Sequence, residues 1–163
     1  LRGLAAIPTA HRSALVAAAI AVGVEFLFSR DPAVADYPMG WGDTKPSPNW
    51  FKLGFPSGYV ADVLQVLEVL AELRHGPDRR LAAALDWLLA RQDDEGRWLN
   101  RYAYHGKTTV DIEQQGKPSK WVTLRACTVL ANLHPGKGGY SPATSMPSEA
   151  AQARSRPRAS SSE

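Results

Sequence analysis

The sequence predicts an all-α fold: helical hairpins joined by long aromatic loops and followed by a disordered tail. Three observations carry that expectation. Ala- and Leu-rich stretches with helical punctuation recur through the first 134 residues. Two segment pairs repeat in the same order at nearly the same offset. The last stretch, 135–163, is rich in Ser, Pro and Ala and has no hydrophobic period.

Taken in order, Leu1–Ile7 reads as the end of a helix, broken at Pro8, with Thr9 placed to cap the next one. That second helix is expected from about Ala10 to Ser29 and is stopped by Asp31-Pro32. Its apolar run Ala14–Val24 is well short of the roughly 20 residues that a membrane span needs, so it reads as a buried helix. Pro32–Pro56 contains five prolines and three glycines, and also Trp41, Trp50, Phe51 and Phe55. So aromatic a segment fits a structured loop on the surface or over a cavity better than a flexible linker.

Tyr59–Arg74 follows as a helix that is apolar almost all round, with Gln65, Glu68 and Glu72 gathered on one narrow face. Such a helix must be enclosed on most sides. His75-Gly76-Pro77 ends it, and Asp78 caps a further helix over Arg79–Arg91. A second long loop, Gln92–Pro118, has room for a small hairpin over Thr108–Glu113. Pro118-Ser119 opens the last helix, Lys120–Leu133, which His134-Pro135-Gly136 closes.

The repeat pairs Val24–Asp31 with Leu85–Gln92 at an offset of 61, and Pro56–Val60 with Pro118–Val122 at an offset of 62. Leu1-Arg2-Gly3 echoes Leu124-Arg125-Ala126. A unit made of an amphipathic helix, an aromatic loop and a more apolar helix cannot bury that last helix alone and must stack on copies of itself. Half-exposed helices alternating with buried ones suit a partial α/α toroid, with outer helices around a ring of inner ones.

Within the second unit, Leu85–Trp98 contains Gln92, Gly96 and Trp98 behind an Ala/Leu helix. This spacing resembles the QW repeat of the squalene cyclase and protein prenyltransferase families. In the first unit Asp31 stands at the Gln position. The resemblance implies an α/α toroid over 1–134, two such repeats plus the end of a preceding one, as the C-terminal piece of a ring of about six hairpins. It implies that Gln92 bonds free groups at a helix end while Trp98 stacks over it. It also implies a cavity for an isoprenoid or lipid-like ligand, shared with the remainder of the toroid and lined at the inner-helix N-termini. Tyr59, Asp62, Lys120, Trp121 and Arg125 fall there. Aromatic rings suit a carbocation, and a carboxyl with a raised pKa can protonate an alkene.

The acid motif of squalene-type cyclases, Asp-x-Asp-Asp, has no match, and no catalytic residue is assigned. Asp62 reads more simply as a helix-start carboxylate. Prenyltransferases hold zinc with Asp, Cys and His. Here Arg125 stands two residues before Cys127, and His11, His75, His105 and His134 are scattered, so no metal or cofactor is expected. Cys127 reads as a small core residue, and Asp93-Asp94-Glu95 as a solvated turn rather than a magnesium site.

Formal charge +3 is unevenly placed: Lys137, Arg154, Arg156 and Arg158 against Glu149 and Glu163 leave the tail at +2 and all preceding residues at +1. The folded part therefore lacks a nucleic-acid footprint. One cysteine gives no intramolecular disulfide and points to a reducing compartment, the cytoplasm, or simply to indifference to redox, and no transmembrane segment is found. Two other readings stay open. One is a non-catalytic repeat scaffold that binds a partner through its aromatic loops. The other is a carbohydrate-active toroid in which Trp41, Trp50, Trp98 and Tyr102 stack on sugars. The unfinished repeat edge predicts self-association or marginal stability.

Overall fold

A computed structural model describes residues 1–34, 47–57, 60–76, 78–103 and 109–133. They form α1 (Arg2–Ala5), α2 (Ala14–Phe28), α3 (Val63–Glu72), α4 (Ala82–Leu89) and α5 (Lys120–Leu133). Single 3₁₀ turns at Thr9–His11 and Arg79–Leu81 precede α2 and α4. Two short strands, β1 (Trp98–Leu99) and β2 (Pro118–Ser119), pair antiparallel with Trp98 opposite Ser119. The fold is helix-rich, as expected. The tail lies outside the described residues. Among those residues, no helix is long and apolar enough to cross a membrane.

The centre is α3. Val63, Leu64, Val66, Leu67, Val69 and Leu70 are all buried, while Gln65 and Glu68 are half-buried and Glu72 exposed. Helices α1, α4 and, most extensively, α5 lie against it. The helix begins later than the apolar pattern suggests. Asp62 is its N-cap, accepting the Gln65 N–H at 2.7 Å, because a carboxylate satisfies a free first-turn donor that Tyr59 has no means to reach. The exit also differs from expectation. Arg74, not Gly76, takes the left-handed conformation, at φ 63°. Gly76 is needed for closeness instead: a Cβ there would sit 2.9 Å from the Asn132 carbonyl oxygen of α5.

Helix α2 begins at Ala14, capped by the Ser13 hydroxyl, which accepts the Val16 N–H. Thr9 sits in the 3₁₀ turn instead of capping it. The expected burial of this helix is incomplete. Ile20, Val24 and Phe28 are buried, but Leu15 is 80% exposed and Val22 72%. Contacts along one side hold it. Gly23 lets the Leu1 side chain approach, and Arg80 bridges from the α4 side, lying 3.9 Å over the Phe28 ring and pairing with Glu25.

Helix α4 is shorter than Arg79–Arg91 because its first turn is 3₁₀ and its end is closed by the loop that follows. There the QW stretch departs from the resemblance. The Trp98 indole N–H donates to the Leu88 carbonyl at 2.8 Å, so the Trp itself satisfies the helix end. Gln92 donates to the Gly96 carbonyl of its own turn. Gly96 takes φ 78°, as its place at the turn demands. Asp93 organises the rest of the turn by accepting the Glu95 and Arg97 N–H groups.

The two Pro-Ser copies of the repeat play different parts. Ser119 caps α5, accepting the Val122 N–H at 2.9 Å, whereas Ser57 lies five residues before the α3 cap and accepts from the Gln65 amide. The expected hairpin over Thr108–Glu113 is not formed by its described part, 109–113. The strands lie to either side, at Trp98–Leu99 and Pro118–Ser119.

Trp98 is wholly buried and carries a unique bond, so its two contributions are separable. Trp98→Phe, which keeps the plate and removes the donor, is expected to cost about 1 kcal/mol in denaturant unfolding. Trp98→Ala is expected to cost about 3–5 kcal/mol. Equal losses for the two would show that the indole N–H contributes the whole effect.

Candidate functional site

The N-terminal ends of α3 and α5 lie beside the loop 47–57, and of the sequence-predicted residues Asp62, Lys120, Trp121 and Arg125 are found there. Tyr59 lies outside the described residues. Trp121 is 38% exposed and stacks on Phe55, with ring centroids 5.2 Å apart and planes 24° apart. The Lys120 ammonium sits 5.5 Å over the same indole. Arg125 turns inward. Its guanidinium grips Glu68 of α3 through two bonds, 2.6 and 3.0 Å, and donates a third to the Gly54 carbonyl at 3.1 Å. Arg2 of α1 reaches the same Glu68 at 2.6 Å. One carboxylate therefore ties together three helices and the loop.

Asp62 is 1% exposed. Burial pushes its carboxyl up to about 6, against the pull of the Gln65 N–H and of Arg125 and with a push from Glu68. Arg125 is itself raised: burial opposes its charge, and Glu68 outweighs that opposition. The group is thus a carboxylic acid of the acidity general catalysis uses. Its observed work is capping.

The loops around this centre are knit by a residue the sequence did not single out. Asn100 is fully buried. Its amide donates to the Phe55 carbonyl at 2.9 Å and accepts the Phe55 N–H at 3.0 Å, as a neighbouring strand would. Gly54 lies so close to Tyr102 that a Cβ would overlap the Tyr102 carbonyl oxygen. Glu113 accepts the hydroxyl proton of buried Ser119.

Other expectations are corrected by burial. Cys127 is exposed, because α5 turns Val122, Ala126, Val129 and Leu133 inward. Trp50 and Trp98 are interior, with indole donors spent on the Pro32 and Leu88 carbonyls, so neither presents a face to a sugar. Trp41 lies outside the described residues. Among the described residues, no three His, Cys, Asp or Glu side chains converge on a possible metal position.

A second feature lies at the QW turn. A groove of about 850 Å³ runs between the loop 51–53, the end of α4 and residues 98–101. Phe51, Lys52, Arg91, Arg101 and Gln115 line it, with Asp93 as the one acid among the described residues that line it. The Arg91 guanidinium lies 3.6 Å over the Trp87 ring and donates to the Trp87 carbonyl at 2.9 Å. Burial lowers the Arg91 pKa, and Arg101 lowers it further.

The chain matches no protein-family model, no curated protein and no solved structure.

Two outcomes are expected at the first centre. A raised Asp62 pKa means that its stabilising share is complete below about 3.8 and is lost as pH rises through about 6. Asp62→Asn keeps the cap and removes that dependence. It should match the parent near pH 4 and exceed it at pH 7 by on the order of 2–3 kcal/mol, read from urea unfolding across that range. Parallel curves would refute the buried-acid account. In a double-mutant cycle of Arg125→Met with Glu68→Gln, each single change should cost about 2–3 kcal/mol, with a coupling of at least about 1 kcal/mol. Additive losses would mean that the pair does not act as a unit.

Proposed function

We propose that this chain is a wall segment of an α/α toroid of the isoprenoid-cyclase and protein-prenyltransferase kind. In this reading it borders a hydrophobic cavity for an isoprenoid or lipid-like ligand, formed together with further repeats, and is not active alone. The observation that carries it is the contrast between neighbouring helices. α3 is sealed by other helices, while α2 leaves Leu15 and Val22 in solvent among exposed alanines. An outer layer waiting for its neighbour has this form. The spacing of Gln92, Gly96 and Trp98 fits the same reading, although here Trp98 and not Gln92 bonds the helix end. The single cysteine favours the cytoplasm as its compartment.

A non-catalytic repeat scaffold is the second reading, favoured by one specific observation. Asp62 and Arg125, the groups best suited to chemistry, are committed to a cap and to a clamp between helices. On that reading a partner protein, not a further repeat, covers α2.

If the α2 face awaits a further repeat, the isolated chain should self-associate in light scattering. Leu15→Ser with Val22→Ser should return it to monomer, with unfolding free energy changed by no more than about 0.5 kcal/mol per site. A parent chain that is monodisperse and unfolds cooperatively as a monomer would contradict the wall reading.

A further inference from the structure

The groove at the QW turn is charged in a way its own residues do not balance. Among the described residues that line it, Lys52, Arg91 and Arg101 face one acid, Asp93. Asp93 is already spent: it accepts the Glu95 and Arg97 N–H groups and the Arg97 guanidinium, and its nearest cation is therefore Arg97 of its own turn. Among the described residues, Arg91 and Arg101 make no ion pair, and Lys52 bonds only the neutral amide of Asn49.

Arg91 is also held in place. Stacking on Trp87 and one bond to the Trp87 carbonyl fix the plane of its guanidinium. Phe51 packs against the same indole, with centroids 6.0 Å apart, so Arg91 and Phe51 are both seated on Trp87. Two like charges on the wall of one groove, Arg91 and Arg101, repel one another, and an anion between them would relieve that repulsion. A guanidinium fork fits the oxygens of a tetrahedral phosphate, and the groove has the size of small-ligand sites.

We propose that this groove binds a phosphate-bearing ligand between Arg91, Arg101 and Lys52, with Phe51 as an apolar side wall. The proposal stands on the groove alone and does not depend on the toroid reading. Two sources share this chemistry: a soluble phosphate ester, or the headgroup of an anionic phospholipid.

The test uses the full chain at constant ionic strength. Inorganic pyrophosphate, titrated by calorimetry, should bind at one site per chain and raise Tm by roughly 5 °C at saturation. Arg101→Gln with Lys52→Gln removes two exposed cations outside the packed wall and should weaken binding by at least about tenfold, with Tm of the free protein unchanged. Arg79→Gln, an exposed arginine away from the groove, should leave binding intact. Cosedimentation with phosphatidylglycerol vesicles distinguishes the source. Capture that pyrophosphate competes away and that the double variant loses assigns the headgroup, whereas soluble binding without capture assigns the ester. Absence of saturable binding to both probes, or equal loss in Arg79→Gln and the groove variant, overturns the proposal.

Discussion

Everything in this fold answers to the burial of α3. A ten-residue helix with six apolar side chains fully or nearly withdrawn from water has almost no face left for solvent, so other elements must surround it. α5 lies along it, α1 and α4 flank it, and the Trp50 carbonyl receives the Val63 N–H at its start. The polar residues of α3 are then used at the seams. Gln65 holds the Val60 carbonyl and the Ser57 hydroxyl, and Glu68 takes Arg125 and Arg2. Burial sets the architecture, and the charged network fixes how the surrounding pieces are oriented around it.

Most of this was legible as elements and less of it as ends. The bounds of α5 follow from Pro118-Ser119 and the apolar spacing, because a Ser at the cap competes with nothing nearby. The start of α3 was misplaced because Pro56-Ser57 looks like the same signal, yet Asp62 offers a better acceptor at the point where the chain turns inward. Local pattern cannot rank two caps five residues apart. Tertiary position does. Similarly, Arg74 takes the left-handed place that Gly76 seemed made for, because Gly76 is needed against α5. The exposure of α2 was hidden for another reason: an apolar run specifies burial without saying how many sides are covered.

At the candidate site, Asp62, Trp121 and Arg125 lie towards the N-terminal ends of two helices, but sequence position could not say what they touch. Arg125 and Glu68 are 57 residues apart, and no local signal couples them. The basic groove was also invisible in the charge balance, since net charge averages Lys52, Arg91 and Arg101 with acids elsewhere. Concentration of like charge is a property of the fold, and only the turn geometry that occupies Asp93 reveals it.

Asn100 has a chemical consequence beyond packing. Its amide nitrogen meets the Phe55 carbonyl and its amide oxygen the Phe55 N–H, so the side chain can be read in one orientation only. Hydrolysis of that amide, the common ageing reaction of asparagine, would set a carboxylate oxygen against a carbonyl oxygen inside a sealed loop. The native packing keeps Asn100 out of water and its amide in two hydrogen bonds, which holds it away from that reaction while the fold is intact. The seam between residues 55 and 100 thus shields a chemically labile side chain as well as joining two loops.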